Sequence, residues 1–591
     1  MRLLIANRGE IARRVLRTAH ALGHSTVAVY ADPDAMSPFV HEATLAVNIG
    51  PASLNDSYLS IERILGAATE TGADAIHPGY GFLSENAEFA RAVIAAGLIW
   101  VGPSPEAIGM MGSKIEARRL ATAAGVPVIR GYDASQGRSD LAGAAQEIGY
   151  PVLVKASAGG GGKGIRIAHS AEGFDAALDE ARAEAERFFG DNAMIVEKYI
   201  ERPRHIEVQV VGDKHGNLLD LGTRECSVQR RYQKLLEEAP APNLADGTRT
   251  GIRSSAVQLA RSIDYDSAGT VEFIVDDETG DYFFLEMNTR LQVEHPVTEL
   301  ITGLDLVELQ IRVAAGEHLP IGPNDVTLDG HAIEVRINAE DPSNDFAPQI
   351  GTVWHLAVPT GVRWDSGIDQ GTAITPHYDP MVAKLIVHGD DRAAALARLA
   401  AALDELLIGG LVTNTGFQRW LIDQPEMVAG RITTRFLDET PPVDTSALLP
   451  RAAALAAELW ARARAAATGS DVWSALGGFR TTPHATVITS ALEDHSGHVH
   501  TVTLDAPGPA SLTQRGAVDL ETRHVVVNVA GQSFTFRVLS RSEHWAPKDD
   551  TGHGSAGAIV APFPALVTEV AVAADQQVSG GDPVLVLEAM K

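Results

Sequence analysis

The opening hundred residues alternate short apolar runs with helix-period stretches, and this rhythm limits the fold more than any other feature. Leu3–Ala6 is an apolar run. Ile11, Val15, Ala19 and Leu22 then recur at helical spacing, and Gly23 follows as a stop. Ser25–Tyr30 reads as a strand, Ile61, Ile64, Leu65 and Ala68 as a helix, and Ala73–His77 as a buried strand. Strand and helix in alternation predict a parallel sheet with helices on its faces.

The mixed pattern continues to about residue 440. Helices are expected over Ile115–Ala124, Phe174–Phe188 and Asp391–Leu407. Strands are expected over Val152–Lys155, Ile165–Ala168, Ala193–Glu197, His205–Val211, His331–Asn338 and Ala383–His388. Composition shifts near Val443. An Ala-rich helix, Ala452–Ala467, precedes strand patterns at Ala485–Ile488, Val499–Leu504, His524–Val529 and Ser533–Leu539, which suggest a small antiparallel barrel or sandwich. Residues 546–558 are polar and Gly-rich and read as a linker.

At 591 residues the chain has room for about four domains. Its 45% hydrophobic and 21% charged content is that of a folded soluble protein, without an apolar run long enough to span a membrane. A net charge of -28 and the lack of a strong basic patch argue against nucleic acid as a partner. One cysteine, Cys226, leaves no internal disulfide and no thiolate metal cluster, and it reads as a small buried residue. The N-terminal apolar run is too short for a signal peptide, so a cytoplasmic location is expected.

Gly159–Gly162, Lys163 and Gly164 lie between two strand patterns. Ile165 follows Gly164 where a Walker A loop needs Lys and then Ser or Thr, and no helix begins inside the run, so neither that loop nor a dinucleotide fingerprint fits. Glycine backbone can close over phosphates, with Lys155 and Lys163 nearby; a plain hairpin tip is the alternative.

Thr270–Val275 and Tyr282–Asn288 are two more strand patterns joined by the turn residues Asp277–Gly280. A turn centred near Thr279 sets Glu272 opposite Glu286, an arrangement that is unfavourable unless a cation sits between them. Two carboxylates and the amide oxygen of Asn288 are Mg²⁺-type ligands; two solvated carboxylates on an outer face are the alternative. Arg290, Gln292 and Glu294 alternate just beyond. If that segment is extended they project together, an Arg able to clamp an oxyanion beside a Glu able to act as base.

Taken with AIHPGYGFLSENA (75–87), SAGGGGKGIRI (157–167), RECSVQRRYQKLLEEAPAP (224–242) and FLEMNTRLQVEHPVTE (284–299), the chain over residues 1–440 resembles the ATP-grasp biotin carboxylases. The resemblance implies an α/β fold. Its parts are an N-terminal parallel α/β domain (1–112), an ATP-grasp domain (113–310, lid about 130–205) and a mixed C-terminal domain (311–442). After these come a β-rich connecting domain (443–545), the linker, and part of a biotinyl-type β domain (559–591).

The same resemblance implies that ATP and bicarbonate form carboxyphosphate and that biotin is carboxylated at N1. Lys114, Lys155, His205, Gly161 and Gly162 would contact ATP, and Glu197, Lys198, Tyr199 and Ile200 would hold its adenine. Glu272, Glu286 and Asn288 match ligands for Mg²⁺ or Mn²⁺. Lys234, Arg290, Gln292 and Val293 match the bicarbonate site, Glu294 its base, and Arg336 the arginine facing the biotin ureido oxygen. Tyr232 stands where some members carry a nucleotide-contacting His.

The terminal Glu588–Lys591 (EAMK) resembles the tip of a biotin carboxyl carrier, with biotin on Lys591; an ordinary surface lysine is the alternative. The carrier's second half does not follow, so the sequence is expected to be shorter than the gene product. Residues 445–545 resemble more loosely the connecting domain of acyl-CoA carboxylase α subunits. There Asp471–Arg480 looks like the β-subunit docking stretch of 3-methylcrotonyl-CoA-type enzymes, although Trp473 and Phe479 also suit a small β core.

The implied partners are a carboxyltransferase β subunit, a biotin protein ligase and further α subunits in a hetero-oligomer. The implied acyl group is 3-methylcrotonyl or a short chain such as acetyl or propionyl. Another ATP-grasp carboxylate ligase, or a non-catalytic biotin carrier or scaffold, are the competing readings. The second is disfavoured because no expected catalytic position is lost.

Overall fold

The computed structural model describes residues 1–132, 135–156, 164–189, 191–440, 446–467, 487–505, 516–545, 561, 564–574 and 576–588. The chain divides into two compact units, Met1–Asp74 with Val335–Val428 and Pro442–Lys591, and Ala75–Glu334 with Ala429–Pro441. No helix among the described residues is long and apolar enough to cross a membrane.

In the first unit, strands Arg2–Ile5, Ser25–Ala31 and Leu45–Gly50 run parallel, as the alternation required. Helix Gly9–Ala21 buries Ile11, Ala12, Val15, Leu16 and Ala19 and ends where Gly23 takes a positive φ of 77°. Strand Met381–Gly389 pairs antiparallel with Arg363–Ser366 and leads into helix Arg392–Glu405. That helix starts where the Asp391 side chain accepts a hydrogen bond from Ala394 N at 2.8 Å, satisfying a backbone donor that the first turn leaves open.

The region after residue 445 corrects one expectation. Between residues 487 and 538 the described residues form one five-stranded antiparallel sheet, not a barrel or a two-sheet sandwich. Helix Leu449–Ala467 supplies the cover that a second sheet would give: Ala453, Leu455, Ala456 and Trp460 pack on Leu492, Val525, Val527 and Phe536. Of the strand expected at Ala485–Ile488, Ala485 and Thr486 lie outside the described residues, and the described strand runs over Val487–Glu493. It extends to Glu493 by pairing with Val499–Asp505 across a turn in which Asp494 Oδ1 accepts from Ser496 N and His498 N. The terminal segment forms an antiparallel hairpin, Leu566–Val570 with Leu585–Glu588.

In the second unit, strands Ala75–His77 and Ile99–Trp100 are parallel. Two antiparallel sheets follow. Strands Val152–Ala156 and Ile165–Ala168, which flank the glycine run, pair with each other, and Val152–Ala156 pairs also with Met194–Lys198. Helices Arg138–Ile148 and Ala171–Phe189 cover them through Leu141, Ala145, Phe174, Leu178 and Ala181. The glycine run therefore joins two strands, as expected, although Gly161 and Gly162 lie outside the described residues.

The second sheet takes Tyr282–Asn288, Ser267–Asp276, Pro203–Gly212, Leu218–Arg230 and Gln233–Ala239 in that spatial order, all antiparallel. Helix Asp246–Ser262 seals one face with Ile252, Ala256 and Leu259 against Val208, Val271 and Phe273. Glu207, Arg224, Glu272 and Glu286 lie in one row on the sheet's other face.

Candidate active site

The register of the second sheet sets four charged residues in a row across four strands. Arg224 is opposite Glu207, Glu207 opposite Glu272, and Glu272 opposite Glu286. The turn at Asp277–Gly280, with Gly280 at a φ of 76°, leads into the pairs Val275–Tyr282 to Phe273–Phe284, and a register shift between Glu272 and Phe273 then brings Glu272 opposite Glu286, the pairing the sequence predicted. Three carboxylates side by side on a sheet would repel. Lys234, from the neighbouring hairpin strand, resolves most of that repulsion: its Nζ lies 2.7 Å from Glu207 Oε2, 2.9 Å from Glu272 Oε1 and 2.6 Å from Glu294 Oε1. Burial alone would lower the lysine's pKa, but the three carboxylates more than reverse this and hold it well above the usual lysine range.

Glu272 is the hub. Its Oε1 also accepts from Asn288 Nδ2 at 2.9 Å and Gln292 Nε2 at 3.2 Å, and His205 Nε2 lies 2.9 Å from its Oε2. Burial would raise the Glu272 pKa, yet Lys234 and His205 pull it well below the carboxylate range. Glu286 behaves oppositely: burial and the Glu272 charge both push its pKa up. An anionic carboxylate facing one that is reluctant to ionise, with an amide oxygen nearby, is a hard-oxygen set that suits a divalent cation.

Arg290, Gln292 and Glu294 converge, but not by strand alternation. The strand ends at Asn288, and the segment bends through residues 289–294 into helix His295–Thr302, whose N-cap is Glu294. Pro296 in the first turn and Gly303, at a φ of 72° past the last, set the helix limits. The bend lets Arg290 reach both ways: Nη2 donates to Asn288 Oδ1 and Nη1 to Gln292 Oε1, each at 3.0 Å. Its Nε donates to Glu85 Oε2 at 2.9 Å.

A second cluster lies on the smaller sheet. Lys155 Nζ is 2.5 Å from Glu197 Oε2, and Arg118 pairs with Glu197 Oε1. Beyond Glu197 the backbone is pinned, with Lys198 N donating to Arg130 O and Tyr199 N to Pro151 O. Lys198 Nζ donates to the carbonyls of Gly149 and Tyr150, and Ile200 follows, half-buried. Lys114 opens helix Lys114–Ala123, and its charge acts on Glu286. Val293 is half-buried beside Gln292.

Arg336 belongs to the other unit, where its carbonyl accepts from Asn414 Nδ2 at 3.0 Å and Gln418 Nε2 at 3.1 Å. Lys591 and the Trp473 stretch lie outside the described residues. Tyr232 is exposed, in the positive-φ turn that it shares with Arg231.

Sequence reasoning passed over Glu207, Arg224, Glu85 and Arg118. The first had a signal: His205, Glu207 and Gln209 alternate along one strand, so a polar face was already written there.

Comparison with known proteins gives the chain its family. Three family models match: "Biotin carboxylase, N-terminal domain" over residues 1–108, "Carbamoyl-phosphate synthase L chain, ATP binding domain" over 113–321, and "Biotin carboxylase C-terminal domain" over 334–439. The mitochondrial methylcrotonoyl-CoA carboxylase subunit alpha of Arabidopsis thaliana is 50% identical over 441 residues, 74% of this chain and 60% of that protein. This chain thus spans less than two thirds of that relative. The propionyl-CoA carboxylase alpha chain of Ruegeria pomeroyi is 47% identical over 464 residues, 75% of this chain and 68% of the relative.

Among solved structures, the biotin carboxylase domain of the Hydrogenobacter thermophilus 2-oxoglutarate carboxylase, in complex with MgADP, ADP and bicarbonate, superposes with a TM-score of 0.69. It is 46% identical, over 74% of this chain and 97% of that one. On the matched domains and these identities, the chain belongs to the biotin carboxylase family.

Proposed function

We propose that this chain is the α subunit of a biotin-dependent acyl-CoA carboxylase, using ATP and bicarbonate to carboxylate biotin. The observation that carries this reading is the convergence of Lys234, Arg290, Gln292 and Glu294 beside the opposed Glu272 and Glu286. An arginine and a lysine side by side can seat a small oxyanion, and the buried Glu294 beside them can remove its proton.

In this reading Arg290, Gln292, Val293 and Lys234 seat bicarbonate, and Glu294 takes its proton. The bicarbonate oxygen then attacks the γ-phosphorus of ATP, the bond to the bridging oxygen breaks, and ADP leaves with that electron pair. Lys114, Lys155, His205, Gly161 and Gly162 hold the phosphates, and Glu197, Lys198, Tyr199 and Ile200 the adenine. Glu272, Glu286 and Asn288 would hold Mg²⁺ or Mn²⁺, which neutralises phosphate charge. The protein's own share is positioning and exclusion of water, since carboxyphosphate hydrolyses readily.

Biotin supplies a nucleophilic ureido nitrogen, and Arg336 would stabilise its enolate-like form. Lys591 would carry it, attached by a biotin protein ligase, to a separate carboxyltransferase β subunit, with the α subunits in mutual contact in the cytoplasm. The Asp471–Arg480 stretch favours a branched, methylcrotonyl-type acyl-CoA. We assign the domains at 1–112, 113–310, 311–442, 443–545 and 559–591 on the same reading.

The test is ADP release by the purified chain with free biotin as acceptor. Release that requires bicarbonate and rises with biotin supports the reading; ATP cleavage indifferent to both overturns it. Co-purification with the native β subunit, followed by an acyl-CoA panel, tests the acyl assignment.

A further inference from the structure

Arg224 has a fully buried side chain, and its partners lie on three other elements. Its Nε donates to Glu207 Oε1, and Nη1 to Gln209 Oε1 at 2.8 Å, both on strand Pro203–Gly212. Nη2 donates to Thr270 Oγ1 at 3.1 Å on strand Ser267–Asp276, two residues from Glu272. Nη1 also donates to Thr298 Oγ1 at 2.9 Å, in the first turn of the helix capped by Glu294.

Two of these bonds lead into the pocket. Glu207 divides its carboxylate, Oε1 toward Arg224 and Oε2 toward Lys234, so the guanidinium fixes the rotamer from which Glu207 holds the ammonium. Thr298 ties the start of the helix to the sheet, and so sets where Glu294 meets Lys234. A planar fork with five donors can satisfy both at once; a lysine cannot.

We propose that Arg224 is a positioning residue for bicarbonate activation. It acts through Glu207 and Thr298 to hold Lys234 and Glu294 at their reacting separation, and it touches neither nucleotide nor bicarbonate. The proposal rests on the function given above. It predicts a division among the kinetic parameters, because the nucleotide residues Lys114, Lys155 and Glu197 lie on elements that Arg224 does not contact, while His205 shares a strand with its partners Glu207 and Gln209.

The experiment is steady-state kinetics of the full chain with free biotin, varying ATP and bicarbonate independently. The proteins compared are wild type, Arg224→Met, Glu207→Gln, the double variant, Arg224→Lys and Thr298→Val. Arg224→Met is expected to lower kcat/KM for bicarbonate by at least about tenfold while KM for ATP stays within about twofold. Arg224→Lys should not restore it. The double variant should be no worse than Arg224→Met, since both changes interrupt one relay. Thr298→Val keeps the ion pair and should lose about threefold in the same parameter with unchanged melting.

Equal losses in the ATP and bicarbonate parameters, or additive losses in the double variant, would overturn the proposal. If Arg224→Met does not fold, wild-type bicarbonate kinetics in Thr298→Val would overturn it instead. A wild type whose ATP cleavage ignores bicarbonate would refute the parent function rather than Arg224's role alone.

Discussion

Glu272 and Glu286 face each other in register across two antiparallel strands, one held ionised by Lys234 and His205 and the other pushed toward its neutral form. A folded protein keeps such a pair when the pair has work to do. Glu286→Gln should remove the repulsion and raise the melting temperature of the metal-free protein by about 1–3 °C. The same change should cut Mg²⁺-dependent turnover by two orders of magnitude or more. Thermal unfolding with and without Mg²⁺, beside an activity assay, checks both halves; an unchanged Mg²⁺ dependence would contradict the ligand assignment.

Lys234 is the counter-charge for three buried carboxylates. Lys234→Met takes the shared cation from all three, leaving Glu207 with Arg224 and Glu272 with His205, and removing one partner of a buried ion pair costs about 3–5 kcal/mol. Denaturant unfolding should show a loss of that size. A loss under about 1 kcal/mol would mean that the carboxylates are compensated by other groups.

Glu294 is fully buried, and Lys234 Nζ donates to its Oε1 at 2.6 Å. Glu294→Gln keeps the shape and removes the base. ATP binding should stay within about threefold of wild type while biotin carboxylation falls at least about a hundredfold. Calorimetric titration with ATP beside a carboxylation assay separates the two; parallel loss would show that Glu294 serves nucleotide binding instead.

In the first unit, Arg8 grips Asp34 through Nε and Nη2, each at 2.7 Å, and Tyr58 OH donates to Asp34 Oδ2 at 2.6 Å. Burial works to raise the Asp34 pKa, but Arg8 and these hydrogen bonds carry it below the ordinary carboxylate value. A depressed folded pKa gives stability that is present above the unfolded pKa, about 3.9, and is lost as pH falls through the folded one. Wild type should therefore lose about 1–2 kcal/mol more than Asp34→Asn between pH 5 and pH 2. Urea midpoints at the two pH values measure the difference, and equal losses would exclude Asp34 as an acid-sensitive contact.

Much of this molecule was legible in its residues. Gly23, Asp391 and the Asp277–Gly280 turn acted as local punctuation, because their conformations are set by their own chemistry and not by distant packing. The turn announced the hairpin, but the register shift between Glu272 and Phe273 that brings Glu272 opposite Glu286 had no signal of its own. Arg290, Gln292 and Glu294 were legible as a group but not in their geometry, since a bend and a helix N-terminus gathered them where alternation suggested a strand. Arg224 and Glu207 stayed hidden because a buried ion pair is a long-range event: each looks like an ordinary strand charge until the register brings the two face to face. The β-rich region was misjudged for a similar reason, as helix Leu449–Ala467 took the place of a second sheet.

The most direct test of the whole account follows the oxygen atoms. In a turnover with ATP, biotin and bicarbonate labelled with heavy oxygen, attack of bicarbonate on the γ-phosphorus leaves one bicarbonate oxygen on the phosphate released. Mass spectrometry of that phosphate should show a single heavy oxygen per turnover in the wild type. Phosphate carrying only ATP and solvent oxygen would mean that water is the nucleophile, and would contradict the account.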